Sequence, residues 1–345
     1  MTEPSHRPEK PTELEIGYAA GKPPLLHCPE LGTVADAVDW LQEHREELRA
    51  QLLRSGCLML RGLPARDAAG FAALRDVLLQ KRAAYKEKAT PRSDFGDDIY
   101  SSTDLPPAQP IMLHNENSYT LDFPGTLVFF CVQAPEEGGA TTVGDMREAL
   151  RLVPAPLRER FAAQGWMLER SYSSFAGMPW EKAFGTADRS QVEEYCQYHR
   201  IGWNWLVEDG LRTAQRRPAI IAHPATGERV WFNHAAFWNS WSLDEDVREV
   251  LQEAGGAAGL PFETRFGDGG EITEAEAAAL RRAYEAVTVR ESWQPGDLLL
   301  VDNILCAHGR DAFKGDRKIL VAMGEPVRLL DCSPSVSPSA VGIHG

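Results

Sequence analysis

At the start of the chain, hydrophobic residues fall first into a helical and then into a strand pattern. After Thr33, a suitable N-cap residue, apolar positions recur at helical spacing until Gly56, a helix stop, which predicts a helix over this stretch. The apolar run CLMLRG at 57–62 predicts a short buried strand, and DAAGFAALRDVLLQ at 67–80 predicts a second helix. Residues 1–17 are rich in Pro, Glu and Lys without periodicity, which predicts a flexible N-terminal arm.

The middle of the chain is rich in predicted strands. Apolar runs at 111–117 and 126–133 are separated by a Pro-Gly pair at 124–125, which predicts a turn between two strands. Two β-hairpins are predicted further on, turning at 209–210 and at 226–227.

The last third combines helices with further strands. Helices are predicted at about 243–254 and 273–288, and a Gln-Pro-Gly-Asp turn at 294–297 leads into the strands LLLVDN and RKILVAM. Many short antiparallel strands with helical insertions indicate a mostly β fold, either a barrel or a double-sheet jelly roll.

The domain organisation follows from the length of 345 residues, which permits two domains but also suits one β fold with insertions. We expect a single domain over 18–330, with helical insertions at about 145–200 and 243–288. The last segment, 331–345, is expected to be a flexible tail.

The charge balance is acidic, since 36 Lys and Arg against 50 Asp and Glu give a net charge of −14. Nucleic-acid-binding proteins need clustered basic residues, which argues against that class here. No stretch approaches the roughly 20 apolar residues of a membrane helix, and the N-terminus has no apolar signal region. The six cysteines lie far apart without metal-binding spacing. We therefore expect a cytoplasmic protein that binds neither nucleic acid nor membrane.

Two His-x-Glu motifs occur, and the predicted backbone distinguishes them. In a helix, residues i and i+2 point about 200° apart, so His44 and Glu46 are predicted to lie on a solvated helix face. On a strand such residues share a face, so His114 and Glu116 can bind one metal ion.

A third metal ligand has to come from elsewhere in the chain. We favour His308 because it follows the strand-like LLLVDN segment. Two imidazoles and one carboxylate suit non-haem Fe(II), since three coordination positions stay open. The other candidates are His199, His223 and His234.

Four segments together resemble a known family. HNENSY at 114–119, GGATT at 138–142, WFNHAAF at 231–237 and HGR…GDRKILVAM at 308–323 are similar to segments of the Fe(II)/2-oxoglutarate-dependent dioxygenases of the TauD/TfdA, clavaminate-synthase-like superfamily. The resemblance is greatest to the branch with the syringomycin-type aspartyl β-hydroxylase, and it implies a double-stranded β-helix core of the jelly-roll or cupin type.

The resemblance also implies the cofactors and their ligands. It implies that His114, Glu116 and His308 bind Fe(II), and that Thr141 and Arg317 bind 2-oxoglutarate. With O2, 2-oxoglutarate would be converted to succinate and CO2 while an unactivated C–H bond is hydroxylated. Because Arg317 follows the distal histidine closely for this family, Lys318 remains an alternative anchor. A Glu as first carboxylate argues against halogenation, since related halogenases have Gly or Ala there.

The implied substrate is an amino acid or an amino-acid-derived compound in natural-product biosynthesis, either free or bound to a peptidyl carrier protein. Arg310 resembles an arginine that holds a substrate carboxylate, although a salt bridge to Asp302 or Asp311 is an equal alternative. Asn233 and His234 are further candidates for substrate binding, against the alternative that His234 is a core histidine.

Loops and basic pairs bear on how a substrate would be held. Residues 89–110 predict a long loop that, with 170–200, would close over the substrate. An acidic carrier protein would need a basic patch on this chain, for which the candidates are the arginine pairs at 216–217 and 281–282.

Three alternative functions remain open at this point. The same cofactor chemistry could give desaturation or cyclisation. A cupin-like module could bind metal without turnover, and a zinc hydrolase could use the same three ligands. Neither of the last two explains Thr141 and Arg317, and the sequence does not decide the oligomeric state.

Overall fold

The computed structural model describes residues 14–83, 87, 89–172, 178–206, 210–255 and 260–343. The helices are α1 (Val34–Glu43), α2 (Arg45–Ser55), α3 (Ala68–Leu78), α4 (Met146–Leu152), α5 (Ala155–Gln164), α6 (Trp180–Phe184), α7 (Arg189–Tyr198), α8 (Glu245–Gly255) and α9 (Glu274–Val287). The strands are β1 (Ile16–Gly17), β2 (Leu25–His27), β3 (Cys57–Arg61), β4 (Ile99–Ser101), β5 (Ile111–His114), β6 (Asp122–Gln133), β7 (Glu137–Gly138), β8 (Thr141–Asp145), β9 (Trp166–Tyr172), β10 (Gly202–Trp205), β11 (Leu211–Arg217), β12 (Ile220–Ala222), β13 (Arg229–Trp231), β14 (Phe262–Phe266), β15 (Thr288–Val289), β16 (Leu298–Asp302), β17 (Cys306–Arg310), β18 (Phe313–Lys314), β19 (Lys318–Arg328) and β20 (Ser339–Ala340).

Two sheets form the core. A seven-stranded sheet has the order β1-β2-β3-β16-β6-β19-β4, and a four-stranded sheet has the order β15-β8-β17-β5. Buried side chains from both sheets, among them Phe129, Val143 and Leu299, pack in one apolar cluster. This mostly β architecture with helices around it confirms the predicted double-stranded β-helix class.

A third sheet takes two of its strands from the segments where helical insertions were predicted. It has the order β10-β11-β9-β14, with β20 paired to β11. The predicted helical insertions at about 145–200 and 243–288 therefore contain β9 and β14 as well as helices. The reason is non-local, because β9 is ordered by pairing with β11 and β14, which lie far away in the sequence.

The predicted N-terminal helix is two helices. Thr33 caps α1 and Gly56 ends α2 in the left-handed conformation with φ 74°, so both predicted ends are confirmed. The chain bends at His44, where α1 packs on α3 and α2 packs on β3. His44 is buried, and its Nδ1 donates to the Trp40 carbonyl 3.0 Å away. The prediction of a solvated face is therefore wrong for His44.

The Pro-Gly pair at 124–125 lies inside β6 rather than in a turn. Pro124 lies opposite Pro326 of β19 and beyond the residues of β6 that pair with β16, so the strand tolerates a missing N–H here. A Cβ on Gly125 would lie 2.6 Å from the carbonyl oxygen of Glu325, so only glycine allows this close approach. The actual turn follows β5.

Within the described residues, parts of both predicted flexible ends pair as strands. Ile16 and Gly17 pair with β2, and residues 1–13 of the predicted arm lie outside the described residues. In the predicted flexible tail, Cys332 is buried and β20 pairs with β11. The pairing of these two short segments depends on distant strands, which local composition does not reveal.

The remaining predicted loops agree in part with the structure. The pairings of β10 with β11 and of β12 with β13 confirm both hairpins, although 207–209 in the first turn lie outside the described residues. The predicted loop at 89–110 contains β4, which pairs with β19 at the edge of the large sheet. Across the described residues, no helix is long and apolar enough to cross a membrane.

Candidate functional site

Three of the predicted ligands come together at one end of the four-stranded sheet. His114 ends β5 and lies directly across from His308 on β17, and Glu116 follows in the next turn. One potential ligand atom of each residue lies within 4.8 Å of those of the others. The two imidazole rings are 4.4 Å apart between centroids, and Nε2 of His308 is 3.7 Å from Oε2 of Glu116.

A turn, and not strand alternation, brings Glu116 to this cluster. The predicted strand at 111–117 ends at His114, and Asn117 adopts a φ of 54°. The side chain of Asn303, between β16 and β17, accepts a hydrogen bond from the Glu116 amide at 2.7 Å and donates one to the Glu116 carbonyl at 2.9 Å. Asn303 thus positions the backbone of the carboxylate residue, a role that the sequence reasoning missed.

Burial sets the protonation of the two histidines. Desolvation lowers the pKa of His114 and holds the pKa of His308 well below its usual range, so both are neutral at neutral pH. Nδ1 of His114 donates to the Met112 carbonyl at 2.9 Å, which leaves Nε2 with a lone pair for a metal ion. Nδ1 of His308 is buried without a hydrogen-bond partner among the described residues. The donor set therefore fits Fe(II).

An arginine that the sequence reasoning missed pairs with the carboxylate. Nη2 of Arg92, in the 89–110 segment, lies 2.7 Å from Oε2 of Glu116, and both side chains are buried. The positive charge of Arg92 is a further, smaller cause of the lowered pKa of His114 and His308, after burial. The sequence offered one signal only, namely the position of Arg92 in a long loop near the motif.

The two histidines of the cluster face a pocket. Its wall is formed by His114 and His308, by the aromatic rings of Phe129 and Phe237, and by hydroxyl and guanidinium groups. The hydroxyl groups belong to Thr90, Ser102, Thr103 and Thr141, and the guanidinium groups to Arg92, Arg310 and Arg317. Such a wall suits a ligand with several negative oxygens.

The predicted pair of 2-oxoglutarate ligands is also in this pocket. Nη2 of Arg317 lies 3.3 Å from Oγ1 of Thr141, which also accepts from Trp293. The other nitrogens of Arg317 donate to the Gly139 carbonyl at 2.9 Å and to the Ser102 hydroxyl at 3.0 Å. Burial lowers the pKa of Arg317 to about 10, so the group is charged at neutral pH while its acceptors here are uncharged.

Two other basic residues are the remaining candidates for binding a carboxylate. Arg310 lines the pocket, but its guanidinium donates to the carbonyls of Leu105, Pro106 and Gln109. The alternative salt bridge is wrong, because Asp302 accepts from His223 and Asp311 pairs with Arg290. Lys318, the alternative anchor, lies 4.8 Å from the ring of Phe95 on the outside of the sheet.

The structure places Asn233 and His234 in the core. Asn233 donates to the Ala219 carbonyl and accepts from the Ala235 amide. His234 is hydrogen-bonded to Ser118 at 2.6 Å and packs against Trp238, and its burial holds its pKa well below the usual range. Both are buried and neither is among the described residues that line the pocket, as expected for core residues.

The other candidate residues lie away from the pocket. Nδ1 of His223 accepts from two backbone amides, and His199 stacks on Tyr195 with 4.1 Å between ring centroids. Arg217 is buried and donates to the carbonyls of Tyr119 and His199. Because Arg217 is buried, the candidate arginine pair at 216–217 does not form a basic surface patch.

Comparisons with known proteins agree with this geometry. The family model described as taurine catabolism dioxygenase TauD, TfdA family, matches residues 24–323. The dapdiamide synthesis protein DdaC of Enterobacter agglomerans is 32% identical over 276 residues, which are 80% of this chain and 84% of that protein. A clavaminate synthase-like protein of Arabidopsis thaliana is 26% identical over 294 residues, 82% of this chain and 86% of that protein.

A solved structure shows the same fold. PvcB of Pseudomonas aeruginosa is 16% identical and has a TM-score of 0.51, covering 97% of this chain and 98% of that chain. Another structure of PvcB describes it as an Fe, α-ketoglutarate dependent oxygenase from an isonitrile synthetic pathway. The chain described above therefore belongs to the TauD/TfdA family and is an iron- and 2-oxoglutarate-dependent dioxygenase.

Proposed function

We propose that this dioxygenase hydroxylates an unactivated C–H bond of an amino acid or amino-acid-derived substrate in natural-product biosynthesis. The observation that carries the proposal is that one pocket is lined by two of the three clustered ligands, His114 and His308, and by the buried pair of Arg317 and Thr141. The relative DdaC is named for dapdiamide synthesis, which supports a natural product as the context.

In this proposal, His114, Glu116 and His308 hold Fe(II), and Arg317 with Thr141 holds the far carboxylate of 2-oxoglutarate. When bound, the iron supplies dioxygen activation coupled to the decarboxylation of 2-oxoglutarate to succinate and CO2. The support for the anchor is that the guanidinium of Arg317 is buried among neutral acceptors, which a carboxylate would complement with paired charge-assisted hydrogen bonds.

The rest of the pocket would position the substrate and exclude water. The rings of Phe129 and Phe237 form its apolar wall, and Arg92 with Thr103 comes from the 89–110 segment. We infer that this segment closes over the substrate, because its side chains already reach the ligand cluster. Arg310 remains a candidate for substrate binding only if it exchanges its backbone partners for a carboxylate.

The first test is an anaerobic titration of metal-free protein with Fe(II) and 2-oxoglutarate. The proposal predicts a weak visible charge-transfer band that requires both additions. Succinate release is then screened with free amino acids and with the same residues loaded on carrier proteins. A product with one added oxygen supports hydroxylation, and loss of two hydrogens supports desaturation or cyclisation. A folded, iron-loaded protein that shows no band contradicts the assigned cofactor site.

A further inference from the structure

Arg92 forms an ion pair with Glu116, the carboxylate that a bound metal ion would also use. The side chains of Arg92 and Glu116 are only 5% and 7% exposed, and the contact is 2.7 Å. Solvent screens a buried pair of this kind weakly, so each charge strongly affects what else can bind nearby. Any cation bound by Glu116 would have to share this carboxylate with a guanidinium.

The charges of the pocket wall are unbalanced. Three arginines line the pocket, while no carboxylate is among the lining residues that the structure describes. Arg310 and Arg317 donate to neutral oxygens. The positive charge of Arg92 is compensated by the carboxylate of Glu116. A divalent cation alone would add positive charge to this wall. A dicarboxylate would offset the excess positive charge, so binding of the divalent cation and binding of the dicarboxylate should be electrostatically linked.

We propose that Arg92 is a positioning residue that couples metal binding to dicarboxylate binding, an inference that rests on the proposed function. Without an anion, Arg92 neutralises Glu116 and disfavours a cation beside it. With 2-oxoglutarate in the pocket, the added negative charge compensates the guanidinium, and Glu116 is available to the metal. Arg92 therefore opposes binding of the metal alone and favours binding of metal and anion together.

The test measures both ligands separately in wild type, Arg92→Gln and Arg92→Lys. Calorimetric titration with Mn(II) alone gives the metal affinity, and anaerobic titration of the Mn(II)-loaded protein with 2-oxoglutarate gives the anion affinity. In Arg92→Gln we expect Mn(II) to bind about tenfold tighter and 2-oxoglutarate about tenfold weaker. Arg92→Lys keeps the charge and should stay within about threefold of wild type in both titrations.

A tighter Mn(II) affinity together with a weaker 2-oxoglutarate affinity distinguishes coupling from a merely structural role of Arg92. Loss of a structural role would weaken both affinities. Arg82→Gln is the matched control, because Arg82 carries the same charge on an exposed side chain paired with Asp76 and Asp97. It should leave both affinities unchanged. If wild type binds neither Mn(II) nor 2-oxoglutarate, the proposed function fails. If wild type binds both and Arg92→Gln weakens both or changes neither, only the role of Arg92 is overturned.

Discussion

Arg317 carries a charge that nothing in its described surroundings neutralises. Its three hydrogen-bond acceptors are a carbonyl and two hydroxyl groups, and burial lowers its pKa to about 10. A carboxylate that enters here gains hydrogen bonds to an ionised donor that is already desolvated. We expect Arg317→Ala to weaken 2-oxoglutarate binding by about 30- to 100-fold and to leave the Mn(II) affinity within about twofold. Calorimetric titration with each ligand measures both effects.

Lys318 provides the control for this prediction. It is the next residue in the chain, but its ammonium group faces Phe95 outside the pocket. Lys318→Ala should therefore leave the 2-oxoglutarate affinity unchanged, and Arg317→Lys should recover part of the loss because it keeps the charge but not the paired donors. An equal loss in Lys318→Ala would move the anchor to the residue that the sequence left as an alternative.

Arg310 organises the wall of the pocket through backbone contacts. Its guanidinium joins the carbonyls of Leu105, Pro106 and Gln109, which otherwise have no strand to pair with. In Arg310→Gln at most one of these contacts can form, so the amides of Leu105, Ala108 and Gln109 should exchange with deuterium about tenfold faster. Arg290→Gln, which removes an exposed guanidinium paired with Asp311, should leave exchange there unchanged. Unaltered exchange in Arg310→Gln would contradict this role.

At the scale of elements, the turn after β5 is shaped by a distant segment. Asn303 bonds both the amide and the carbonyl of Glu116 and also donates to the Pro124 carbonyl at 2.7 Å. Asn303→Ala leaves these buried backbone groups unpaired, which costs about 2–4 kcal/mol of stability. Because the turn also carries the carboxylate, we expect the Mn(II) affinity to fall by about tenfold or more.

Asn233→Ala is the matched control for Asn303→Ala. Asn233 is equally buried, and its side chain bonds two backbone groups where that of Asn303 bonds three, but neither of these groups belongs to the turn that carries Glu116. Both variants should lower the midpoint of urea unfolding, and only Asn303→Ala should weaken Mn(II) binding. If the two variants weaken Mn(II) binding equally, general destabilisation accounts for the effect.

The Pro-Gly pair at 124–125 shows where local sequence patterns stop predicting the structure. A Pro-Gly pair predicts a turn, yet here β19 and Asn303 on either side make it part of β6. The helix predicted up to Gly56 was right at both ends and wrong in the middle, because packing on α3 and β3 bends it at His44. Caps depend on neighbours in sequence, while bends and strand partners depend on distant residues.

At the scale of the whole molecule, the motif residues could be predicted from the sequence because their side-chain types by themselves indicate metal and carboxylate binding. The pairing of His114 with His308 and the contact of Arg317 with Thr141 follow the predicted grouping, although their roles stay predictions. Arg92 and Asn303 could not be selected, since they reach Glu116 across 24 and 187 residues and have no motif of their own. Supporting residues of this kind are visible only once the sheets are assembled.

The assembled core also makes the metal-free protein sensitive to acid. Burial lowers the pKa of His114, His234 and His308 from a usual value of 6.5, so the folded state keeps them neutral where the unfolded chain binds protons. Stability is then lost as pH falls below about 6.5, by about 1.4 kcal/mol per pH unit for each such histidine. We expect urea unfolding of EDTA-treated protein to show this loss between about pH 7 and about pH 5.5.

His234→Gln should remove about a third of the dependence, and exposed His27→Gln should remove none. An unchanged pH dependence in His234→Gln would show that this buried imidazole does not contribute to the acid sensitivity.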